Sequence, residues 1–307
     1  MLYIIVNPAS KSGLGQKRWE AFQEELNRSS VVYEVFFTKK DSGASECVAS
    51  ILKNSLNSKA ETIICVLGGD GTINEVVNAT AGVTQIVLAY LPTGSSNDLA
   101  RALGLTASPK EFLTRIKERK VCYSDLGTFS APPNHRRHFC VSCGIGLDAA
   151  VCREALNSPL KDALNHIGLG KLTYAGIALK QLIKAPMSDC IVTLSDGTTR
   201  HFSKFLFGAA LIHPYEGGGI KMAPMADCHD GSFDLLIVAG LRKWQALYLL
   251  PLAFFGRHVH SRNVFFFKCS YVKIKTKAPL IVHADGEFCG SRQEITLSCQ
   301  KDHLKYI

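Results

Sequence analysis

Residues 62–78 read Thr-Ile-Ile-Cys-Val-Leu-Gly-Gly-Asp-Gly-Thr-Ile-Asn-Glu-Val-Val-Asn. Ile63–Leu67 is a nearly unbroken apolar run, the pattern of a short strand buried on both faces. Gly68, Gly69 and Gly71 follow within four positions, with Asp70 between them. Glycine tolerates positive φ and lets a backbone approach a ligand closely, so this loop can offer bare N–H groups to an anion. Thr72 and Glu75 have the Thr-x-x-Glu spacing of a capping box, which predicts a helix starting at once. Strand, bare loop and helix N-terminus in that order make a phosphate cradle, with Ile73 and Asn74 on its first turn. A turn that uses its glycines only for geometry is the plainer reading. Gly-Gly-Asp-Gly-Thr in this setting speaks against it, and the stretch is neither a Gly-Lys-Ser/Thr loop nor a Gly-x-Gly-x-x-Gly fingerprint.

The same alternation extends to both sides. Leu2–Val6 reads as a strand, followed by the polar turn Asn7-Pro8-Ala9-Ser10-Lys11-Ser12-Gly13-Leu14-Gly15. Trp19, Phe22 and Leu26 then recur at helical spacing, a stripe that belongs to a core. Val31–Phe37 is a second strand ending at Thr38, and Ala44, Cys47, Val48, Ile51 and Leu52 mark a helical face over 44–54. Ile86–Leu91 is a fourth strand, and Pro92-Thr93-Gly94-Ser95-Ser96-Asn97-Asp98-Leu99-Ala100-Arg101 follows it. Alternating strands and helices imply right-handed crossovers and a parallel sheet with ligands at the carboxyl ends of its strands. Asn7–Gly15, Thr38, the glycine loop and the turn after Leu91 all fall at such ends. Asn97 and Asp98 suit either a pocket or the cap of the next helix. Ser108-Pro109-Lys110-Glu111 opens another helix, and Lys117, Arg119 and Lys120 close it.

Near Asp125-Leu126-Gly127 the composition shifts. Strands are expected over Phe139–Ser142, Cys190–Leu194, Phe205–Ile212, Phe233–Val238, Val264–Phe267, Tyr271–Lys275 and Leu280–His283, with a hairpin signal at Ser195–Thr198. The expected domains are 1–127, α/β, and 128–307, β-rich, with the last residues free to return to the first domain. Residues 160–184 read as a basic helix with Lys161, Lys171, Lys180 and Lys184, and Trp244–Phe255 as an apolar stretch broken by Pro251. For each, a packed helix and a lipid-facing helix remain open.

Length and charge narrow the class. At 307 residues and 47% hydrophobic composition, with mean hydropathy +0.09, the chain can bury sizeable cores, and its apolar stretches stop short of the roughly 20 residues of a membrane span. Met1–Val6 has no basic flank and reads as the first strand, not a leader. A net charge of +9 invites a polyanion, but the basic residues are dispersed and no nucleic-acid motif accompanies them. An anionic membrane surface, or simply a soluble basic surface, accounts for the charge as well. Eleven cysteines without framework spacing read as buried thiols in a reducing cytoplasm. Cys140 and Cys143 form a lone Cys-x-x-Cys in an expected strand, where they would face opposite ways and bind no zinc.

Gly68-Gly69-Asp70-Gly71-Thr72 resembles the signature of the diacylglycerol kinase catalytic-domain superfamily, shared with sphingosine kinases and, in shorter form, NAD kinases. Asn7–Gly15 resembles its Asn-Pro-x-Ser/Ala-Gly motif, and Pro92–Arg101 its Pro-x-Gly-Thr-x-Asn-Asp-Phe-Ala-Arg segment, with Ser95 in place of threonine. Phe139–Ala149 resembles Phe-x-Asn-x-x-x-x-Gly-Phe-Asp-Ala, with Val141 at the asparagine position. The resemblance, closest to stand-alone bacterial lipid kinases, covers essentially the full chain. It implies an α/β N-terminal domain like that of NAD kinases and phosphofructokinases and a C-terminal β-sandwich, with ATP in the interdomain cleft. The implied nucleotide contacts are Asn7, Pro8, Ser10, Lys11, Thr38, Gly68–Glu75, Gly94, Ser95, Asn97 and Asp98.

In the second half, Gly217–Asp234 resembles the family segment running from Gly-Gly-Gly to Asp-Gly-x-Leu/Phe. It implies Mg²⁺ on Asp227, Asp230 and the main-chain oxygen of Ser232, oxygen ligands such as a hard cation requires; an Asp-Gly turn before a strand is the alternative. Asp285-Gly286-Glu287 resembles the segment that carries the catalytic base. The expectation is Glu287 as base and Asp285 as its orienting or metal-linked partner, both pointing one way in an extended segment. The implied activity is ATP- and Mg²⁺-dependent phosphorylation of a lipid hydroxyl, with diacylglycerol leading. Sphingoid bases, ceramide or phosphatidylglycerol, then NAD, or a non-catalytic regulatory role, are the alternatives. Expected partners are a lipid at the membrane surface, peripherally contacted from the cytoplasm, and a second copy of the chain as a homodimer; nucleic acid is not expected.

Overall fold

The run Ile63–Leu67 forms the middle of β3 (Thr62–Gly68), whose seven residues are all buried. The computed structural model describes residues 1–39, 43–55, 60–156 and 170–307. They divide into one unit of Met1–Ser124 with Asp302–Ile307 and a second of Asp125–Lys301.

In the first unit, β1 (Leu2–Val6), β2 (Tyr33–Phe37), β3 and β4 (Ile86–Pro92) form a parallel sheet in the order β2-β1-β3-β4. The connections separate to opposite sides of β1 and β3, so the topological switch point lies between those strands, where ligands bind in open α/β sheets. The helices are α1 (Ser10–Arg28), α2 (Ala44–Ser55), α3 (Asp70–Thr80), the short α4 (Asp98–Ala102) and α5 (Pro109–Glu118). Trp19, Phe22 and Leu26 are buried with Phe112 in the sheet's core, as helical spacing requires. The chain's end belongs to this unit: Tyr306 pairs with Leu88, and Ile307 donates its N–H to the Leu88 carbonyl at 2.9 Å.

The second unit is antiparallel and sandwich-like. Its strands are β5 (Cys122–Ala131, whose first residues lie in the first unit), β6 (His135–Phe139), β7 (Ser142–Gly146), β8 (Ser188–Leu194), β9 (Thr199–Phe205), β10 (Phe207–Leu211), β11 (Phe233–Val238), β12 (Val264–Cys269), β13 (Tyr271–Ala284) and β14 (Glu287–Tyr306, which ends in the first unit). The main order is β12-β11-β10-β7-β13-β14, with β8 and β9 extending from β13. Period-two alternation gives this sheet two apolar faces. Leu235 and Ile237 enter one core, Leu236 and Val238 the other. The second core is covered by α6 (Leu147–Leu156), α7 (Gly170–Lys184) and α8 (Lys243–Phe254).

Several expectations need correction. Gly69, not Thr72, is the N-cap of α3, and no side chain caps it; Glu75 instead accepts the Ala44 N–H at 2.6 Å and caps α2. Phe139–Ser142 is not a strand but the corner between β6 and β7, because its N–H groups go to a carboxylate described below. Phe205–Ile212 is two strands, since the chain changes partner at Leu206, whose N–H goes to the Val238 carbonyl. Tyr271–His283 is one strand with an irregularity after Lys275. Pro251 does not break α8: it sits in the last turn, where few backbone bonds are lost. The start of the basic helix expected at 160–184 lies outside the described residues.

Gly127 of β5 faces the Phe139 ring so closely that a Cβ would lie 2.2 Å from it. Gly127→Ala is therefore expected to cost about 1–3 kcal/mol, read as a lower melting temperature. Gly176→Ala, in open space on a helix, should leave the melting temperature unchanged or raise it.

Candidate active site

In the first unit, hydrogen bonds tie the expected nucleotide contacts together across the switch point. Asn7 receives its main-chain bond from β3, donating to the Leu67 carbonyl at 2.8 Å, and its Nδ2 donates to Thr72 Oγ1 at 3.0 Å. The Ser10 hydroxyl lies 2.6 Å from Thr93 Oγ1, joining the first turn to the one after β4. Gly69 and Gly94 pack backbone to backbone: a Cβ on Gly94 would stand 2.6 Å from the Gly69 Cα. Asn97, left-handed at φ 50°, brackets Gly94 by accepting its N–H and donating to its carbonyl, both at 2.9 Å. Lys11, Ser12 and Gly13 are all left-handed, so the regular part of α1 begins after them.

α3 thus begins at a glycine cap, which has no side chain to bond its first N–H groups, and such an end suits a phosphate. Gly68, Gly71, Thr72, Asp70, Gly94 and exposed Ser95 gather around this end, Pro8 lies in the turn after β1, and Thr38 sits at the end of β2. Ile73 and Asn74 are buried, the Ile73 N–H is given to the Gly69 carbonyl at 3.1 Å, and the Glu75 carboxylate is engaged with α2, so these three shape the cradle from behind its first turn. Asp98 is paired with Arg101 at 2.6 Å.

In the second unit, Asp285 and Gly286 are not extended. With φ of 49° and 86° and Ala284 paired to Glu287, they form a two-residue type I′ hairpin turn, which favours Asp-Gly. The Asp285 carboxylate accepts three main-chain N–H groups, from Cys140 at 2.7 Å, Val141 at 2.8 Å and Ser142 at 3.0 Å. Asp285 is thus the staple of the turn, and the Val141 position contributes through its backbone. Glu287 is half-buried and is the first residue after the turn.

Beside it lies a polar cluster that sequence reasoning missed. His283 Nδ1 accepts the Gly286 N–H at 3.0 Å, and its Nε2 is 2.7 Å from Asp148 Oδ2. Ser142 Oγ bonds Glu216 Oε1. Burial works against charge on His283, yet Asp148, Glu216 and Asp285 outweigh it and raise its pKa to about 9. The Gly286 contact opposes this, because a doubly protonated ring has no lone pair at Nδ1; the hydrogen-bond geometry favours the neutral ring. Asp125 was also missed: fully buried in β5, it accepts the Gly231 N–H at 2.6 Å. The signal for both was a polar residue inside an apolar strand, Val282-His283-Ala284 and Ser124-Asp125-Leu126.

The loop expected to hold a metal is already occupied by its own protein groups. Asp230 accepts the Ser232 N–H at 2.9 Å and pairs with Lys268 Nζ at 2.5 Å. Asp227 is exposed and accepts the His229 N–H at 3.0 Å. The ammonium on Asp230 takes one oxygen of the expected Mg²⁺ set, while Asp227, Cys228 and His229 bring ligating atoms within 4.8 Å of one another. Nearby His213 is buried, which pushes its pKa down to about 4.

Residues 1–129 match the family model described as the diacylglycerol kinase catalytic domain, and residues 141–304 the YegS C-terminal NAD kinase beta sandwich-like domain. YtlR of Bacillus subtilis, which carries a lipid-kinase name, is 31% identical over 294 residues, 94% of either chain. A Bacillus subtilis diacylglycerol kinase is 28% identical over 233 residues, covering 74% of this chain and 72% of that one. A crystal structure of a Bacillus anthracis diacylglycerol kinase superposes with a TM-score of 0.70 at 19% identity, over 100% of this chain and 96% of that one. Yeast NADH kinase does so with a TM-score of 0.56 at 12% identity, over 100% and 82%. The two structural likenesses speak for the fold alone.

With Lys268 on Asp230, the melting temperature should be the same in chelator as in millimolar Mg²⁺, whereas Lys268→Met should make it rise with Mg²⁺; a rise in the unaltered protein contradicts the ammonium assignment. His213 has a depressed folded pKa, so the unfolded chain binds the extra proton between pH 6.5 and about 4. Its contribution to stability is full above pH 6.5 and falls with acidification by about 1.4 kcal/mol per unit. Denaturant melts across that window should show the slope, flattened in His213→Leu.

Proposed function

The chain belongs to the diacylglycerol kinase-like family of lipid kinases, and we propose that it transfers the γ-phosphate of ATP to the hydroxyl of a diacylglycerol. The observation that carries the acceptor half of this reading is an apolar cavity in the second unit under α6, α7 and α8. Leu147, Val151, Leu182, Met222, Leu249 and Phe254 are among its walls, and Asp148 and His258 are the polar members of its described lining. His258 is turned to the Met222 carbonyl at 2.9 Å, which leaves Asp148 as the polar mark on an apolar surface. Asp148 is one imidazole away from the turn that carries Glu287. Apolar walls marked by one carboxylate suit a long-chain alcohol better than a dinucleotide, which needs polar partners along its length.

The residues then divide the work. The N-terminus of α3 binds the phosphates of MgATP, with Gly94 packed against Gly69 to shape the cradle, the magnesium arriving with the nucleotide as substrate. Glu287 accepts the proton of the lipid hydroxyl as that oxygen bonds to the γ-phosphorus, while the bond to the β-phosphate oxygen breaks and ADP leaves. The outer side of α8 leaves Trp244, Tyr248 and Phe255 exposed at 55%, 68% and 76%. Aromatics in that setting suit the bilayer interface from which such a lipid is drawn.

The test is transfer of labelled phosphate from ATP to a panel of lipid alcohols in mixed micelles. Diacylglycerol is expected to be labelled, and Glu287→Ala to lose at least about a hundredfold in kcat. Label on a sphingoid base, ceramide or phosphatidylglycerol instead keeps the chemistry and replaces the substrate; label on NAD alone refutes the lipid reading. Gly94→Ala, which drives a methyl into Gly69, should raise KM for ATP. Ala253→Trp, which fills the cavity, should raise KM for the lipid and leave that for ATP unchanged.

A further inference from the structure

Asp148 and Cys152 of α6, Glu216 in the loop after β10, and His283 of β13 each bring a ligating atom within 4.8 Å of the others. Two chemistries suit such a set: a transition-metal site, or a hydrogen-bonded network that holds protons. The ring of His283 decides between them. A backbone nitrogen only donates, so the Gly286 N–H at 3.0 Å makes Nδ1 an acceptor without a proton. The proton of the neutral ring is therefore on Nε2, donated to Asp148 Oδ2 at 2.7 Å. A histidine that ligates through Nε2 needs the reverse, with N–H at Nδ1 donating outward. Here a donor faces that nitrogen.

The network has room because of one residue. A Cβ on Gly144 of β7 would stand 2.0 Å from Asp148 Oδ2 and 2.5 Å from His283 Nε2, so only glycine lets the carboxylate meet the ring. Glu216 Oε1, held by Ser142 Oγ, lies 3.5 Å from Nε2 on another side. Ser142 is also one of the three N–H donors to Asp285. The turn is thus gripped from two directions, Asp285 by the 140–142 corner and Gly286 by the imidazole.

We propose that His283 is a positioning residue for phosphoryl transfer: its Nδ1 holds the Gly286 N–H and so sets the turn that presents Glu287, while Asp148 fixes the tautomer this requires. The proposal rests on the reading of Glu287 as the base. It also makes the ring the link between the cavity wall and the turn, since Asp148 belongs to both.

Asparagine and glutamine test it without emptying a polar site. The side-chain oxygen of Asn can stand near the position of Nδ1, whereas the Gln amide reaches toward Nε2. His283→Gln, which loses the bond to the Gly286 N–H, is expected to lower kcat about tenfold, the worth of one hydrogen bond, and His283→Asn, which keeps it, to lower kcat less, with KM for ATP unchanged in both. Amide exchange of the 284–288 peptide should be faster in the Gln variant and unchanged in the Asn variant. Equal kcat and equal exchange in the two variants overturns the proposal. So does stoichiometric zinc or iron in the purified protein that Cys152→Ser removes. If the unaltered protein labels no lipid, the proposed acceptor falls on its own, and the exchange comparison still decides whether His283 holds the turn.

Discussion

Three main-chain N–H groups in a row, those of Cys140, Val141 and Ser142, point at one carboxylate, Asp285. A carboxylate that accepts several backbone N–H groups is held in its charged form and holds the backbone in return. Removing it would strand three donors in a buried corner, at a cost of about 1–3 kcal/mol each. That corner feeds directly into β7, at the centre of the sheet, and Asp285 returns its own N–H to the Ser142 carbonyl at 2.8 Å. Two segments more than 140 residues apart are thereby fixed in register, and the type I′ turn between β13 and β14 follows from that fixation. Glu287 is presented where it is because its neighbour is fully spent on structure.

The first unit solves a different problem, the approach of two loops. The turns after β3 and β4 meet at Gly69 and Gly94, where neither position tolerates a methyl without movement, and Asn97 locks the second turn by accepting and donating at Gly94. The cradle at α3 is left open because its cap is a glycine, and Glu75 is committed to α2.

Those differences explain what was legible in the sequence. Apolar runs of five to seven residues alternating with helical stripes carry their own period, so the parallel sheet, the glycine loop and the core role of Trp19, Phe22 and Leu26 could all be read directly. The Thr72–Glu75 spacing misled because Glu75 had a better use: the N-terminus of another helix, 31 residues away in sequence. Asp285 was expected to point the same way as Glu287 in an extended segment because nothing local says that the 140–142 corner takes it. His283, Asp148 and Asp125 were hidden for the same reason. The pairs His283–Asp148 and Asp125–Gly231 are 135 and 106 residues apart in sequence, and no local period records such pairs. The loop at Asp227–Ser232 carries the right oxygens in sequence, while Lys268, which takes one of them, is contributed by β12.

The account places a lipid's acyl chains in the second unit against α6, α7 and α8, with its hydroxyl toward Asp148 and Glu287. The most direct measurement is photo-crosslinking with a diacylglycerol that carries a diazirine on one acyl chain, followed by peptide mapping. Labelling concentrated in 246–264 and 147–151, and competed by unmodified diacylglycerol, is the predicted result. Label confined to the exposed aromatics Trp244, Tyr248 and Phe255, or spread over the first unit, would mean that the cavity is not where the substrate goes.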